Sequence, residues 1–230
     1  MVPVVLYLFL KKYMKRNWPQ FRSKIKQLRL SKNFLLFLAF MVLMLLKLAT
    51  LHAQDTVLQY NVVRNGKTIG WTKLTRTGIN ELVNIRMESE VKARFIFEFL
   101  VSAIEQVTFH SGCLVNSSQS RKLNGEIREN KRMKLTCNGY EVYKDDDTQR
   151  LSYSPLHSHM LCLYFQEPKS NAKVYSDTFQ RELDLERMAD GGYRMKLPDG
   201  NSCCYYYQNG ICTRVKINQR FYSAEMLLNQ

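Results

Sequence analysis

The chain has 230 residues, with 34 Lys and Arg against 20 Asp and Glu, a formal net charge of +14 and a pI near 9.6. Ten of the 34 basic residues and none of the acids lie in residues 1–53, so residues 54–230 carry 24 basic against 20 acidic side chains, a net charge of +4. So small an excess excludes an electrostatic footprint for DNA or RNA, and we expect no nucleic-acid partner.

The most apolar stretch, residues 34–54, has the order of a secretory signal. It reads FLLFLAFMVLMLLKLATLHAQ: thirteen apolar residues follow a basic region, and a small residue, Ala53, precedes the expected cleavage before Gln54. The apolar run is shorter than the about 20 residues of a transmembrane helix, which favours a cleaved signal. Small residues are usual three positions before a cleavage site, but Leu51 occupies this position. An uncleaved anchor over residues 34–51 is therefore the alternative.

These features predict three regions: a basic cytoplasmic leader at 1–33, a signal peptide or signal anchor at 34–53, and one exported β-domain at 54–230. The positive charges of the leader fit the positive-inside rule. Because the leader is long for a signal, Met14 is an alternative start to Met1. We expect the domain in the periplasm or cell envelope, or at the inner membrane if residues 34–51 stay attached and contact the bilayer.

Turn and strand signals predict antiparallel β structure in the exported domain. Apolar and polar residues alternate over 83–92, which is typical of a strand with one buried face. Pairs of Asn and Gly favour type I′ hairpin turns, because both residues tolerate φ > 0. They occur at 65–66, 124–125, 138–139 and 209–210.

We therefore expect an all-β fold: a highly curved antiparallel meander of about ten strands, forming an incomplete barrel with one or two short helices, after an N-terminal hydrophobic export helix. Residues 93–109 fit either a helix or a long strand buried on both faces, and their aromatic and β-branched content favours the strand. Residues 154–164 are the better candidate for a short helix, since Pro155 suits a first helical position.

Several segments resemble a family of small exported Bacteroidota proteins known only as a domain of unknown function. The resemblance implies a curved sheet similar to incomplete-barrel proteins such as lipoprotein carriers, and it assigns no catalytic residues. The segments are YNVVRNGKTIGW at 60–71, LYFQEP at 163–168, VYSDTFQRELDL at 174–185, YRMKLPDG at 193–200 and YYYQNGICTRVKI at 205–217.

Six cysteines lie in the exported domain, where disulfides can form, and six allow fifteen pairings. Burial as small hydrophobic residues is the favoured interpretation. An Asn209-Gly210 turn would separate Cys203 from Cys212 by about 14 Å along the hairpin, whereas a disulfide needs Cα atoms within about 7 Å. These two cysteines are therefore not expected to pair.

His157, His159 and Glu167, with the acidic loop 145–147, are the one cluster of metal-binding residue types. Three adjacent acids do not have the spacing of a calcium loop, and the histidines have no sequence partners that complete a zinc site. There is also no GxSxG motif. We expect no metal, no cofactor and no catalytic residues, and keep a hydrolase or metal-dependent enzyme using these histidines and Glu167 as an alternative.

Three consecutive tyrosines, Tyr205 to Tyr207, precede the last Asn-Gly turn. Counting from that turn places Tyr206 on one face of the sheet with Thr213 and Val215. A concave aromatic face suits an apolar ligand. We therefore expect a non-enzymatic periplasmic or envelope-associated protein that binds a lipid or another hydrophobic or amphiphilic ligand through these three residues. The alternative is a structural module whose edge strand pairs with an envelope protein.

Overall fold

A computed structural model describes residues 55–94, 98–144, 147–152, 155–220 and 222–229. The predicted leader, the signal and its cleavage site at Ala53 and Gln54 lie outside these residues. The described part is a single antiparallel sheet of fourteen strands. The strands are β1 Thr56–Arg64, β2 Lys67–Ile79, β3 Leu82–Arg94, β4 Glu98–His110, β5 Cys113–Leu123, β6 Glu126–Thr136, β7 Gly139–Lys144, β8 Asp147–Leu151, β9 Lys173–Ser176, β10 Arg181–Arg187, β11 Tyr193–Lys196, β12 Ser202–Gln208, β13 Ile211–Asn218 and β14 Ser223–Leu228.

The expected all-β antiparallel fold is confirmed, but the expected ten strands were too few. Two hairpins were hidden because their tight turns lack an Asn-Gly pair. The chain reverses between β2 and β3 with Asn80 at φ 55°, and between β4 and β5 with Ser111 at φ 49°. Asn accepts the left-handed conformation readily, whereas Ser is a weak signal for it.

The Asn-Gly prediction holds at three of its four positions. At 65–66, 124–125 and 209–210 both residues have positive φ, as a type I′ turn requires. The prediction was wrong at Asn138. There Thr136 already pairs with Gly139, so Cys137 and Asn138 form the loop and only Gly139 has positive φ.

The strand predicted over 93–109 divides between β3, which ends at Arg94, and β4, which begins at Glu98. The strand interpretation is confirmed for the described residues of this stretch. Its burial on both faces was wrong: Val107 is fully buried, whereas Ile104 on the opposite face is 42% exposed. The β4 strand therefore has one buried face, on the inner side of the sheet, and one exposed face on the outer side.

The sheet consists of two arms that meet in its middle. The first arm runs β8-β7-β6-β5-β4-β3-β2-β1, and the second runs β14-β13-β12-β11-β10-β9. They join where β1 pairs with β14, with Tyr60 opposite Leu228. The buried Tyr60 hydroxyl also donates to the Cys212 carbonyl oxygen at 2.6 Å, which ties β1 to β13 across β14.

Residues 155–166, which we call the interior segment, fill one end of the curved sheet. The short helix expected over 154–164 is only the 3₁₀ helix Met160–Tyr164, which begins after the capping residue His159. Leu156 fixes the start of the segment, because its carbonyl oxygen accepts the Leu114 N–H and its N–H donates to the Tyr140 hydroxyl. Apolar side chains of the segment are buried against the sheet: Leu156, Leu161, Leu163, Tyr164 and Phe165.

Side chains connect β5 of the first arm to the turn that follows β9, the last strand of the second arm. The Ser117 hydroxyl on β5 donates to Asp177 Oδ1 at 2.6 Å, and Gln119 Nε2 donates to the Thr178 hydroxyl at 3.1 Å. Asp177 and Thr178 form part of the turn that follows β9. The described part is therefore an unclosed barrel, as expected, in which polar side chains rather than strand pairing connect β5 to the turn after β9.

Candidate functional site

A pocket of about 210 Å³ opens on the inner face of the sheet, around the β1–β14 junction, and we call it the mouth pocket. The lining combines inward residues of the first arm with residues of the β13–β14 hairpin, where the second arm begins. Alternation directs every second side chain of a strand to this face, as for Val62, Val91 and Val101. The lining residues are Val62, Arg64, Ile69, Val91, Phe99, Val101, Ile217, Gln219, Tyr222 and Ala224.

The mouth pocket and the interior segment lie at different ends of the inner face. On β3, Val91 lines the mouth pocket, while Val83 and Ile85 lie near Phe165 of the interior segment at the other end of the strand. Eight residues of a strand span roughly 27 Å. The two features therefore occupy opposite halves of the curved sheet.

Aromatic side chains fill the middle of the inner face, where these two halves of the sheet meet. Tyr60 lies two residues inward from Val62 on the same face, and its ring packs edge-on against Tyr164 with centroids 5.5 Å apart. Tyr164 packs in the same way against Tyr205, at 6.2 Å. Burial raises the pKa of all three phenols, so they are neutral at ordinary pH. The inner face is consequently solid at its centre, with the mouth pocket at one end and a second pocket of about 240 Å³ beside the interior segment at the other.

Arg64 and Tyr222 give the mouth pocket a polar rim. The Arg64 guanidinium lies over the Tyr222 ring, 5.4 Å from its centroid. A cation in this position is held by the quadrupole of the ring. Burial raises the pKa of Tyr222, which therefore remains a neutral phenol. Among the described lining residues Arg64 carries the one charge, so the rim is electropositive.

The prediction that Tyr206, Thr213 and Val215 share one face of the sheet was wrong. A β-bulge between β12 and β13 leaves Thr213 without a cross-strand partner, so Tyr206 pairs with Arg214 and Tyr205 pairs with Val215. A bulge of this kind shifts the register by one residue, so that the residues on its far side from the turn face the opposite side of the sheet from the one counted without it. Val215 is buried in the core, while Tyr206 lies on the outer face.

The outer position of Tyr206 is fixed by charged neighbours. Its ring lies 5.7 Å from the Arg214 guanidinium and 5.4 Å from the Lys216 ammonium. Its hydroxyl donates to Asp190 Oδ2 at 3.1 Å. None of these contacts connects it to the mouth pocket.

His157, His159 and Glu167 are likewise not brought together. His157 Nδ1 lies 3.1 Å from the Gly112 carbonyl oxygen, and Glu167 Oε1 accepts the Tyr193 hydroxyl at 3.0 Å. His159 is buried elsewhere, against Asp177. Across the residues that the structure describes, no three His, Cys, Asp or Glu side chains converge as metal ligands do.

Ser117, Asp177 and His159 form a buried cluster that resembles a catalytic triad in composition but not in order. His159 Nε2 lies 3.0 Å from Asp177 Oδ2, and Ser117 donates to the other carboxylate oxygen. In a triad the histidine lies between the hydroxyl and the carboxylate, where it can take the hydroxyl proton. Here the carboxylate is in the middle. The hydroxyl has no histidine beside it to take its proton, and the cluster connects three parts of the fold.

The contact between Cys113 and His157 also lacks the geometry that would activate the thiol as a nucleophile. Cys113 Sγ lies 3.7 Å from His157 Nδ1, but this nitrogen is also within hydrogen-bond distance of the Gly112 carbonyl oxygen, to which only a protonated nitrogen can donate. In that tautomer Nδ1 cannot accept the thiol proton. All six cysteines are free thiols, and Cys203 on β12 pairs with Ile217 on β13.

Sequence reasoning missed the mouth pocket because its lining residues come from six separated elements. One signal was present: the alternating row from Val83 to Val91 was correctly assigned to an inner face. The positions of Arg64 and Tyr222 had no local signal. No described helix has the length and apolar character needed to cross a bilayer.

The family described as "Domain of unknown function (DUF6134)" matches residues 60–229. No curated protein matches the chain at a significant level. Among solved structures, the crystal structure of a beta-barrel-like protein of domain of unknown function DUF1849 from Brucella abortus is similar, with 11% sequence identity and a TM-score of 0.49. The similarity covers 77% of this chain and 96% of that chain.

Proposed function

We propose a ligand-binding function without catalysis for this chain, which belongs to the family described as "Domain of unknown function (DUF6134)". The ligand is an anionic amphiphile, and the protein acts in the periplasm or cell envelope after export. Its alkyl chain enters the mouth pocket and its head group remains at the rim beside Arg64. The observation that carries the proposal is an apolar cavity on the inner face with one cation at its edge.

The size of the cavity supports a single alkyl chain. Pockets that enclose drug-sized ligands measure roughly 300–1,000 Å³, and the mouth pocket, at about 210 Å³, is smaller. The buried tyrosines at the centre of the sheet prevent a deeper entry. Burial of each methylene contributes about 0.8 kcal/mol, so even a short insertion gives measurable affinity.

The charge of the rim supports an anionic head group. Arg64 lies at the end of β1 with its guanidinium over the Tyr222 ring, and a guanidinium forms strong, often bidentate hydrogen bonds with a carboxylate or phosphate. A neutral or cationic head would gain nothing from this residue.

The test uses displacement of a naturally fluorescent fatty acid from the full chain. Val101→Trp, which fills the pocket from β4, should abolish uptake in protein that still melts cooperatively. Leu100→Trp is the matched control, because the neighbouring side chain points to the outer face and is 36% exposed. Arg64→Glu should weaken the fatty acid about tenfold and leave the corresponding fatty alcohol unchanged. No uptake by the unmodified protein, or equal loss in both Trp variants, would overturn the proposal.

A partner-binding module is the second candidate, and it rests on β8. This strand ends the sheet order, and its side chains from Asp147 to Arg150 are exposed. An unpaired edge can accept a strand from another protein. The opposite edge differs, because β9 is bridged by the interior segment through His159 and Tyr175. Replacement of Gln149 by Pro should abolish the binding of such a partner strand to β8 while leaving fatty-acid uptake intact.

A further inference from the structure

A groove of about 750 Å³ lies on the outer face of the first arm, and unlike the mouth pocket it is lined mainly by polar side chains. Its volume falls within the range of pockets that enclose small ligands. Outward residues of β4 to β7 form its surface, with Ser117 and Met133 at its base. The outward residues are Gln106, Thr108, Asn116, Ser118, Asn130, Arg132, Lys134 and Tyr143.

We propose that this polar groove binds an acidic oligosaccharide, a chain of sugars that carries carboxylate groups. The inference is independent of the proposed amphiphile site, since it rests on another face of the sheet and on other residues.

The amide and hydroxyl side chains match the hydroxyl groups of a sugar. Asn and Gln side chains have both donors and acceptors, as do Ser and Thr hydroxyls, and sugar hydroxyls have the same double character. Five such side chains come from the adjacent strands β4, β5 and β6: Gln106 pairs with Ser118, Thr108 pairs with Asn116, and Asn130 pairs with Ser120 further along β6. The five side chains are Gln106, Thr108, Asn116, Ser118 and Asn130.

The two cations of the groove select for acid groups. Arg132 and Lys134 are exposed neighbours on the outward face of β6, and no carboxylate is among the described lining residues. Arg132 forms no hydrogen bond or ion pair with any described residue, so its planar donor fork is available for bidentate contact with a carboxylate. Lys134 pairs with Glu141 on the neighbouring strand β7.

Tyr143 supplies an aromatic surface at the edge of the groove. Its hydroxyl donates to Glu141 Oε2 at 2.7 Å, and Glu141 also accepts the Arg150 Nε–H at 3.2 Å. These contacts hold the ring beside Arg132, its cross-strand neighbour, and compensate the charge of Glu141. An apolar sugar face can pack on such a ring, which is 39% exposed.

Other classes of partner fit the groove less well. A nucleic acid would need more than two cations and several stacking rings, since phosphate contacts supply most of its affinity. A protein interface would need an apolar centre, and Met133, the one apolar aliphatic residue of the lining, is buried.

Calorimetric titration of the full chain with a galacturonic acid oligosaccharide tests the proposal. We expect binding by the acidic chain and at least about tenfold weaker binding by a neutral maltooligosaccharide of the same length. Arg132→Gln should weaken the acidic chain about tenfold. Arg128→Gln is the matched control on the same strand, because Arg128 pairs with Glu126 outside the groove, at 2.7 Å.

Three outcomes would overturn the proposal: no binding by the acidic oligosaccharide, equal weakening in both arginine variants, or equally tight binding of inorganic polyphosphate or single-stranded DNA. The last outcome would mean that charge alone is recognised. Both arginines are exposed, so each variant should keep the melting transition of the unmodified protein.

Discussion

His159 Nε2 lies 3.0 Å from Asp177 Oδ2, and both side chains are buried. The other ring nitrogen, Nδ1, accepts the N–H of Leu161 at 3.1 Å. A nitrogen that accepts carries no proton, so the proton lies on Nε2 and is donated to the carboxylate. The pair therefore fixes the tautomer of His159 and fastens the interior segment to the turn after β9.

Asp177→Asn should lower the free energy of unfolding by about 2–4 kcal/mol at pH 7. The substitution places an amide opposite the His159 N–H and removes a charge-assisted hydrogen bond in a buried site. Asp184→Asn is the matched control, because Asp184 is exposed and lies 3.7 Å from Lys173, and it should change stability by less than about 0.5 kcal/mol. Urea denaturation of both variants measures the difference.

The same pair should make the protein sensitive to acid. Burial acts to raise the pKa of Asp177, but hydrogen bonds from His159 and Ser117 and the charge of Lys131 outweigh it, and the pKa falls below the usual 3.8. A lowered folded-state pKa gives stability that is present above the unfolded value and lost as pH falls through the folded value. Asp177→Asn should therefore flatten the loss of stability below about pH 4. If the free energy of unfolding fell equally with pH in Asp177→Asn and in the unmodified protein, this assignment would be wrong.

Gly70→Ala should destabilise the sheet far more than Gly78→Ala, although both glycines lie on β2 and neither has a positive φ. A methyl group at Gly70 would overlap the Glu90 carbonyl oxygen and lie 2.7 Å from Val91 Cα, whereas at Gly78 the nearest atom is 3.7 Å away. Overpacking against backbone costs about 1–3 kcal/mol. Gly78→Ala should be neutral or slightly stabilising. Equal melting temperatures would show that β2 and β3 can separate at Gly70.

Asn124→Ala should cost more stability than Asn138→Ala, about 1–2 kcal/mol against less than about 0.5 kcal/mol. Asn124 has φ 50°, and its side-chain oxygen accepts the Leu100 N–H at 2.8 Å. Asn138 has neither feature. Thermal melts of the two variants compare the turns directly, and equal losses would mean that Asn138 is strained as well.

Tyr206→Ala should lower stability by about 1 kcal/mol and leave fatty-acid uptake unchanged, because its half-buried ring interacts with cations on the outer face. The neighbouring Tyr205→Ala should cost about 3–5 kcal/mol, since that ring is buried among Tyr164 and Val215. Differential scanning calorimetry with the uptake assay separates the two effects. Reduced uptake by cooperatively folded Tyr206→Ala would contradict the position of the site.

The features that sequence alone predicted are local ones. Alternation over 83–92 and the Asn-Gly turns act within a few residues, and they predicted an antiparallel, unclosed sheet correctly. The resemblance to a domain of unknown function is confirmed by the family match. The Bacteroidota origin, the export signal and cleavage between Ala53 and Gln54 stay predictions.

The features that sequence did not predict depend on distant partners. The bulge at Thr213 exchanges the faces of the last hairpin, and the residues beside it have no Gly or Pro to signal it. Asp177 and His159 are polar and would be expected at the surface, and only the folded chain shows that each satisfies the other in the interior. Composition cannot identify such pairs.

The junction of the two arms has a consequence for folding rate. Each arm is a series of hairpins whose contacts form between nearby residues. The bond from Tyr60 to Cys212, in contrast, joins residues 152 positions apart, and the β1–β14 ladder joins residues still farther apart, such as Tyr60 and Leu228. Closing so long a loop has an entropic cost before any contact compensates it, and topologies rich in such contacts fold slowly. The arms are therefore expected to form first, and the rate-limiting event is their pairing at β1 and β14.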